Sequence, residues 1–526
     1  MFENPMPTLN WIGKEQVVNH DKEVPFKLLK KVKSNSVGDN SQNLIIHGDN
    51  LEALKALMPY YCGKIKCIYI DPPYNTGNEG WVYNDKVNSP KIKKWLGKVV
   101  GAESEDLCRH DKWLCMMYPR LKLLRELLKD DGLIFISLDE HEYHHLICLM
   151  NEIFGEENFI GTFIWKSKVG GGNDNKYLVP EHEYILLFAK KVGNINYLSA
   201  PPDEEYKKVF KLKDEYIKER GPYYIDNLHK TGLDTNRPNL KYSIECPDGT
   251  KVNPPTIWRL SKEEFERRKK NGEIVFKKSK DNKWQVYTKT YLSYNGEERR
   301  VRPRSVLRNV GTTREGNQQI IDIFKDKVFQ YPKPYQLIKY FVSIATKSND
   351  LILDSFAGSG TTGQAVISLN NEDNGKRKFI LIEMEDKVAK DITAERIKRA
   401  ISKEKYNDGF EYCELDKALF NEEGQIDEDC SYEQLATYIY FTETKTNINK
   451  TNISRPFIGS SPDESAEYYL IFKEKGKNKL SRESLKHIKK SNNKKVIYAD
   501  QCLLDSDELK RHNILFKQIP YEVERY

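Results

Sequence analysis

A short apolar stretch that runs into a glycine-rich turn constrains the fold of this chain more than any other feature. Residues 350–354 form the stretch, residues 355–363 read Ser-Phe-Ala-Gly-Ser-Gly-Thr-Thr-Gly, and residues 364–369 have a helical pattern. In a strand, turn and helix of this order, backbone N–H groups approach a nucleotide-like ligand closely. Glycine is needed there because a side chain would block the approach or the required φ. The segment therefore predicts a Rossmann-like α/β sheet.

A second predicted strand supports the same kind of ligand. Residues 377–383 are mostly apolar and end at Glu383, which falls 23 residues after Gly360. Folds of this kind place a carboxylate at about this position, where it binds ribose hydroxyls. A glycine-rich turn alone usually indicates a dinucleotide, so these segments leave a dinucleotide-dependent oxidoreductase open.

The motif Asp71-Pro72-Pro73-Tyr74 closes a third apolar stretch, residues 65–70, and suits an amino-bearing heterocycle. Asp71 can accept one hydrogen bond from an exocyclic amino group, and the carbonyl of Pro72 can accept the other. Tyr74 supplies a flat face on which a planar ring can stack. An ordinary exit from a strand into a turn would also explain these four residues. A dinucleotide oxidoreductase, however, leaves them unexplained.

Together the two motifs resemble those of the amino-group DNA methyltransferases that use S-adenosylmethionine. Phe356, Gly358 and Gly360 match the cofactor motif of that family, and residues 71–74 match its catalytic motif. The catalytic motif comes first in the chain, which is the order of the β group of the family. Residues 71–77 and the general layout look most like the modification subunit of type III restriction–modification systems.

The resemblance implies methyl transfer from S-adenosylmethionine to N6 of adenine in double-stranded DNA, with the target base flipped out of the helix stack. The residues it assigns to catalysis are Asp71, Pro72, Pro73 and Tyr74, and those it assigns to the cofactor are Asp49, Lys333, Asp354, Phe356, Gly358, Gly360, Thr361 and Glu383. N4-cytosine methylation uses the same chemistry and stays open. So do a stand-alone adenine methyltransferase, an RNA-directed enzyme and a DNA-binding module without catalysis.

A basic and aromatic segment lies between the two motifs, at residues 251–304. It carries sixteen Lys and Arg against seven Asp and Glu, whereas the whole chain has a formal net charge of +7. Basic residues interleaved with aromatic rings are what phosphate and base contacts require. A solvated face is the usual explanation of a charge run by itself. Between two methyltransferase motifs, we expect DNA contacts from Arg267, Arg268, Lys269, Lys270, Lys277 and Lys278.

The chain has 526 residues, which are too many for one core, so two or three domains are expected. Six regions are predicted along it. They are an N-terminal arm (1–40), the catalytic half of the methyltransferase domain (41–194), an inserted target recognition domain (195–305), the cofactor half (306–405), an acidic linker (406–464) and a small C-terminal α/β domain (465–526).

Two patterns are given a structural rather than a catalytic interpretation. The nine cysteines lack paired spacing, so they are predicted to be reduced thiols. The run His141-Glu142-Tyr143-His144-His145 matches the H-E-x-x-H pattern of zinc proteases, but it follows a strand of the predicted sheet and no third ligand is evident. No metal site is predicted.

The expected surroundings and partners follow from the resemblance and from missing signals. Nothing resembles a signal peptide or a membrane span, so a cytoplasmic protein without membrane contact is expected. Nothing resembles a nuclease or a phosphate loop, so any DNA cleavage is expected from an ATP-dependent restriction subunit. The resemblance also implies a homodimer on double-stranded DNA. The region from about residue 465 is an expected docking surface, and a structural appendage explains it equally well.

Overall fold

A computed structural model gives the fold of residues 8–38, 41–76, 109–170, 177–230, 237–420, 425–427, 430–449, 453–473, 478–519 and 523. The chain divides into two compact units. The first, called the main unit, comprises Met1–Leu198 and Arg304–Tyr526, and the second, called the inserted unit, is Ser199–Pro303. The inserted unit lies where a target recognition domain is predicted, and that role stays a prediction. Within the described residues, none of the helices combines the length and apolar character that a membrane crossing requires.

The main unit is built on a central sheet of ten strands, so the predicted Rossmann-like α/β class is confirmed. In spatial order the strands are Lys27–Lys31, Glu411–Ala418, Leu44–His47, Lys378–Glu383, Leu351–Asp354, Ile65–Ile70, Leu128–Leu138, His182–Ala189, Phe159–Lys166 and Val306–Leu307. The six strands from Glu411–Ala418 to Leu128–Leu138 run parallel to one another. The four inner strands Leu44–His47, Lys378–Glu383, Leu351–Asp354 and Ile65–Ile70 are mostly apolar, as expected for strands that are covered on both faces.

Helices cover the central sheet and connect its parallel strands. The main ones are Asn50–Tyr61, Arg109–Leu127, Tyr143–Phe154, Thr313–Phe324, Tyr335–Ala345, Thr361–Asp373 and Glu395–Glu404. Several begin at sequence signals for a helix start. Asp49 caps the first of them by accepting hydrogen bonds from the backbone N–H groups of Leu51 and Glu52, at 2.9 and 3.2 Å. Thr312 and Glu315 form a reciprocal capping box at the start of Thr313–Phe324.

The order of the strands brings the two sequence motifs together. Ile65–Ile70, which ends at the catalytic motif, and Leu351–Asp354, which ends at the glycine-rich turn, are adjacent and parallel. Ligands of open α/β sheets bind outside the carboxyl ends of the strands. His182–Ala189 runs antiparallel to Leu128–Leu138, so its amino end reaches the same edge of the sheet. Segments that are about 110 to 280 residues apart in sequence thus meet at one edge.

The predicted N-terminal arm is wrong for the described residues. Lys27–Lys31 pairs antiparallel with Glu411–Ala418 at the edge of the central sheet. Two short helices, Lys14–Val17 and His20–Glu23, precede it, and Val17 is part of the main hydrophobic core. Elements this short contain too few apolar positions to show a period in the sequence.

The predicted acidic linker is also wrong over most of its described residues. Glu411–Ala418 is a strand of the central sheet, in which Tyr412 and Cys413 are buried while the acidic side chains are partly exposed. Tyr432–Thr444 is a largely buried helix that starts with a capping box of Ser431 and Gln434. The acidic composition describes the outer face of these elements and says little about their inner face.

The C-terminal region is not a separate domain beginning at residue 465. A second sheet contains Phe457–Ser460, Ala466–Leu470, Lys494–Ala499 and Ile514–Gln518. Its core continues into helix Tyr432–Thr444 and includes Phe26 and Leu28 from the N-terminal region. The region is therefore part of the main unit, although its α/β character is as predicted.

The inserted unit has a small core of its own. A three-stranded antiparallel sheet is formed by Tyr223–Asn227, Trp284–Tyr291 and Ile274–Lys278. Helix Lys262–Lys270 is capped by Ser261 and buries only Phe265, so most of its length is polar and exposed. The core of the inserted unit consists of Leu228, Ile244, Trp258, Phe265 and Val286.

Candidate active site

One cavity at the carboxyl edge of the central sheet receives residues from both motifs. It has an empty volume of about 920 Å³, which includes space open to solvent. Asp71 and Pro73 line it from the catalytic motif, and Asp354, Phe356, Gly358 and Thr361 line it from the glycine-rich turn. Glu383 and Lys333 line it as well. The residues that the sequence assigned to two functions are thus brought to one place.

The glycine-rich turn depends on backbone conformations that favour glycine. Gly358 has φ +50° and Gly360 has φ +77°, both in the left-handed region. A Cβ at Gly358 would lie 3.1 Å from the ring of Phe329, and one at Gly360 would lie 3.2 Å from the backbone of Thr393. Neither position has room for a larger side chain without movement of its neighbours.

Two carboxylates hold this turn in place. Asp354 accepts hydrogen bonds from the backbone N–H of Phe356, at 3.0 Å, and from the Thr362 hydroxyl. Burial raises the pKa of Asp354 to about 7, although both hydrogen bonds act in the opposite direction. Glu383 accepts from the backbone N–H of Gly358 at 2.9 Å. The carboxylate predicted to bind ribose therefore also fixes the turn itself.

The catalytic motif contributes to a buried ionic cluster. Lys333 Nζ donates to Oδ1 and Oδ2 of Asp71, at 2.9 and 2.8 Å, and lies 3.4 Å from Oε2 of Glu183. The hydroxyl of Tyr74 donates to the same Glu183 oxygen at 2.8 Å. The Lys333 ammonium also lies over the Tyr74 ring, 4.8 Å from its centroid. Two carboxylates thus share one ammonium group in a site with little solvent.

The charges of this cluster set its protonation. Burial raises the pKa of Asp71, and the Lys333 charge opposes this shift. Burial lowers the pKa of Lys333, but the Asp71 and Glu183 charges outweigh it and the pKa is raised. Lys333 therefore remains an ammonium ion at neutral pH. Burial and the nearby carboxylates raise the pKa of Tyr74 well above its ordinary value, so its hydroxyl stays a hydrogen-bond donor.

The loop of the catalytic motif is fixed from the opposite side by helix Arg109–Leu127. Trp113 Nε1 donates to the backbone carbonyl of Pro73 at 2.7 Å. Asn75 has φ +57°, donates to the Arg109 carbonyl at 3.1 Å, and accepts from Arg109 Nη1 at 2.7 Å through its own carbonyl. These bonds hold the motif as a rigid turn.

The H-E-x-x-H pattern does not assemble as it does in a zinc protease. His141 Nδ1 lies 2.9 Å from Asp139 Oδ2, while the buried Glu142 meets His145 and His110, each at 2.6 Å, and also accepts from Asn75. The ligand atoms of His110, Glu142 and His145 lie within 4.8 Å of one another. Ligands of one tetrahedral zinc ion lie roughly 3.3 Å apart, so contacts of 2.6 Å fit hydrogen bonds better. The expected absence of a metal stays a prediction.

The structure departs from the predicted site at Asp49 and Lys333. Asp49 is a helix cap and is not among the described residues that line the cavity, whereas its neighbour Asn50 lines it. Lys333, predicted to bind the cofactor, points its ammonium at Asp71. Pro72, Tyr74 and Gly360 act beside the cavity rather than in its described lining.

Sequence reasoning missed Glu183 and Ser355. Glu183 lies at the start of the strand His182–Ala189, and an acidic residue leading into an apolar strand was its only signal. The hydroxyl of Ser355 is buried, lines the cavity and has no hydrogen-bond partner within the described residues. Such an atom is costly unless a ligand completes it.

The basic residues of the inserted unit are at its surface. Glu264 holds Arg267 at 2.8 and 2.7 Å and Arg268 at 2.7 Å, all on helix Lys262–Lys270. Lys269 and Lys270 are exposed on the same helix, and Lys277 and Lys278 are exposed on the strand Ile274–Lys278. Lys278 Nζ lies over the Trp284 ring, 5.0 Å from its centroid. The cation-and-aromatic pattern seen in the sequence is therefore present on the surface.

A Rossmann-like sheet with a glycine-rich turn and an Asp-Pro-Pro-Tyr motif at one cavity defines a methyltransferase class of fold. The family described as DNA methylase matches residues 65–395, and this chain belongs to that family.

Its curated relatives include modification enzymes. The chain is 33% identical to the StyLTI Mod subunit of a type III restriction-modification enzyme from Salmonella typhimurium, over 74% of this chain and 60% of the relative. It is 34% identical to the EcoPI Mod subunit from Escherichia phage P1, over 73% and 64%. It is 31% identical to the type II methyltransferase M.KpnI from Klebsiella pneumoniae, over 69% and 85%. The chain thus spans less than two thirds of the length of the first two.

Proposed function

We propose that this chain transfers a methyl group from S-adenosylmethionine to N6 of adenine in double-stranded DNA, as the modification component of a type III restriction–modification system. The observation that carries the proposal is the meeting of Asp71 and the glycine-rich turn at one cavity. An amino-directed catalytic motif beside a nucleoside-type cradle suits methyl transfer to a base and suits no dinucleotide redox reaction. The similarity to Mod subunits supports the type III assignment.

The cavity fits S-adenosylmethionine on its own chemistry. A Cβ at Gly358 would crowd the Phe329 ring that also lines the cavity, the Ser355 hydroxyl lacks a partner within the described residues, and Phe356 offers a partly exposed ring. Glu383 would bind the ribose hydroxyls and Phe356 would pack on the adenine of the cofactor. The cofactor supplies an electrophilic sulfonium methyl group when it is bound.

The protein would position the target base and make its amino nitrogen nucleophilic. The lone pair of an adenine amino group is delocalised into the ring. Hydrogen bonds from its two hydrogens to Asp71 and to the Pro72 carbonyl would favour a pyramidal nitrogen with a localised lone pair. Tyr74 would stack on the base and offset part of the cost of removing it from the helix. These contributions are orientation and electrostatics.

A radiolabel assay followed by base analysis tests this proposal. The full chain is incubated with S-adenosyl-[methyl-³H]methionine and unmethylated genomic DNA, and the DNA is digested to nucleosides. We expect tritium in N6-methyl-2′-deoxyadenosine. A parallel reaction contains total RNA in place of DNA. Label in N4-methyl-2′-deoxycytidine would correct the base, label in the RNA reaction alone would correct the substrate, and no transfer to either nucleic acid would contradict the proposal.

We further propose that the chain acts as a homodimer with a separate restriction subunit as its partner. The similarity to Mod subunits of type III enzymes supports a partner subunit, and the homodimer rests on the family resemblance of the sequence. The shared core of the C-terminal region makes truncation a poor test, because cutting there would expose apolar surface. Multi-angle light scattering of the full chain should instead give twice the chain mass of 61.5 kDa. A monomer that methylates DNA normally would contradict the dimer.

A further inference from the structure

The ammonium group of Lys333 occupies the place that the target amino group needs. It bonds to both carboxylate oxygens of Asp71, at 2.9 and 2.8 Å, and lies over the ring of Tyr74. Under the proposed function, the amino hydrogens of the flipped base require that carboxylate, and the base requires that ring. The lysine and the base therefore compete for one location.

A buried ammonium group needs a partner after it leaves Asp71. The side chain of Lys333 is only 7% exposed, and an unpaired charge at that depth is costly. Glu183 offers a second partner, because its Oε2 already lies 3.4 Å from Lys333 Nζ. A small side-chain movement would shorten that distance to about 2.8 Å, the length of a charge-assisted hydrogen bond.

We propose that Lys333 is passed from Asp71 to Glu183 when the target base enters, and that Glu183 is a positioning residue for methyl transfer. This inference rests on the proposed function and deepens it. No covalent bond changes in the exchange, and the charge of the cluster stays the same. The base amino group takes the hydrogen-bonding place that the ammonium group vacates.

The exchange has a consequence for the reaction itself. Positive charge develops on the amino nitrogen as the methyl group arrives. Asp71 stabilises that charge best when its own charge is not neutralised by a lysine. Before the base enters, the charge of the same lysine opposes the rise in the pKa of the buried Asp71. Lys333 therefore stabilises the Asp71 carboxylate in the free protein, and Glu183 makes that carboxylate available in the reacting complex by accepting the lysine.

Glutamine at position 183 separates this role from the support of Tyr74. Glu183 Oε2 accepts a hydrogen bond from the Tyr74 hydroxyl at 2.8 Å, and a glutamine oxygen can still accept it. Glutamine has no charge with which to receive an ammonium ion. In Glu183→Gln we therefore expect Tyr74 to keep its orientation while Lys333 stays on Asp71.

A double-mutant cycle between Glu183→Gln and Lys333→Met tests the exchange. The readout is the single-turnover rate of methyl transfer from radiolabelled S-adenosylmethionine to unmethylated genomic DNA, with cofactor affinity measured by calorimetry. We expect Glu183→Gln alone to slow transfer on the order of 10- to 100-fold with cofactor affinity unchanged. The Lys333→Met background has no ammonium group to pass to residue 183. There, the further substitution Glu183→Gln should slow methyl transfer by less than about twofold. Glu181→Gln, on the same segment with a half-exposed side chain, is the matched control.

Each result of the double-mutant cycle supports or overturns the proposed exchange of Lys333. A near wild-type rate for Glu183→Gln, or the same fold loss in both backgrounds, would overturn the exchange. If circular dichroism shows that Glu183→Gln does not fold, Glu183→Asp replaces it in both backgrounds and the same criteria apply to its smaller loss. If the wild-type chain transfers no methyl group at all, the proposed function fails and not the exchange alone.

Discussion

The cavity and the inserted unit use charged residues in opposite ways. In the cavity, one lysine with a 7% exposed side chain is held between two carboxylates that are 17% and 16% exposed. In the inserted unit, Arg267, whose side chain is 56% exposed, lies on a polar helix and pairs with Glu264 on the same helix. Buried charges must be matched in geometry, whereas exposed ones contribute little to stability and remain available to an external polyanion. A single substitution should therefore have a large effect in the first region and a small one in the second.

The largest effect is expected for Asp71→Ala. Loss of this carboxylate removes the acceptor for the target amino group, so transfer should fall on the order of 1,000-fold or more. Cofactor affinity should stay within a few-fold, because Asp71 addresses the base. Tritium transfer and calorimetry measure the two effects separately. Asp350→Ala serves as the control, because it removes a carboxylate that precedes the strand Leu351–Asp354 and lies away from the carboxyl edge of the sheet. Transfer by Asp71→Ala near the wild-type level would refute the role of Asp71.

Gly358→Val should weaken S-adenosylmethionine binding by on the order of 10- to 100-fold. The new side chain would meet Phe329 at a φ of +50° and fill the space along the turn. Gly63→Val controls for backbone strain, because Gly63 has φ +66° and no neighbouring atom lies within 4 Å of the position that its Cβ would take. Thermal stabilisation by the cofactor is the measurement. Equal stabilisation of the Gly358 variant and the wild type would place the cofactor elsewhere.

Neutralising Arg267, Arg268, Lys269 and Lys270 together should have a moderate effect on DNA binding. Each lost phosphate contact lowers the salt dependence of log K by about 0.9. Because Glu264 already pairs with two of the four, we expect a reduction of about one to three in the slope. Fluorescence anisotropy across a salt series measures it. The control neutralises four exposed lysines of the C-terminal region, namely Lys479, Lys486, Lys490 and Lys494. Equal slopes for both variants and the wild type would make the basic helix a solvated face.

The smallest effect is a pH dependence of cofactor affinity. The pKa of Asp354 is raised to about 7, so this group is neutral below that pH and negative above it. The positively charged sulfonium should bind a few-fold more tightly as pH rises from about 6 to about 8. The uncharged thioether product should show a weaker dependence, and Asp354→Asn should flatten the curve. Affinity that falls over this range would contradict the assignment.

The two regions also differ in how much of their structure can be predicted from the sequence. The strands that end at Asp71 and Asp354 were predicted because local apolar runs and turn residues mark them. The contact between Lys333 and Asp71 joins residues 262 positions apart, and no local pattern encodes it. Lys333 was therefore assigned to the cofactor, and Glu183 was not assigned at all. Exposed cations such as Lys269 were found from composition alone, but composition does not say what they bind.

Two strands at one side of the central sheet were not predicted from the sequence, for a related reason. Lys27–Lys31 and Glu411–Ala418 pair across almost four hundred residues, and each mixes charged with apolar positions. Lys27–Lys31 is the edge strand and Glu411–Ala418 is its inner neighbour. Charged side chains are common near the edge of a sheet, so these sequences resemble linkers more than core strands. These segments can be recognised as strands only when the strand with which each one pairs is known.

Long-read sequencing of DNA from cells that express the chain tests the central claim most directly. The wild-type chain and Asp71→Ala would be expressed in a host without adenine methylation, and modified bases would be mapped in both. The account predicts N6-methyladenine at one short recurring sequence in the wild-type sample and its absence from the Asp71→Ala sample. Genomes without modified adenine in either sample, or with the same modification in both, would contradict it.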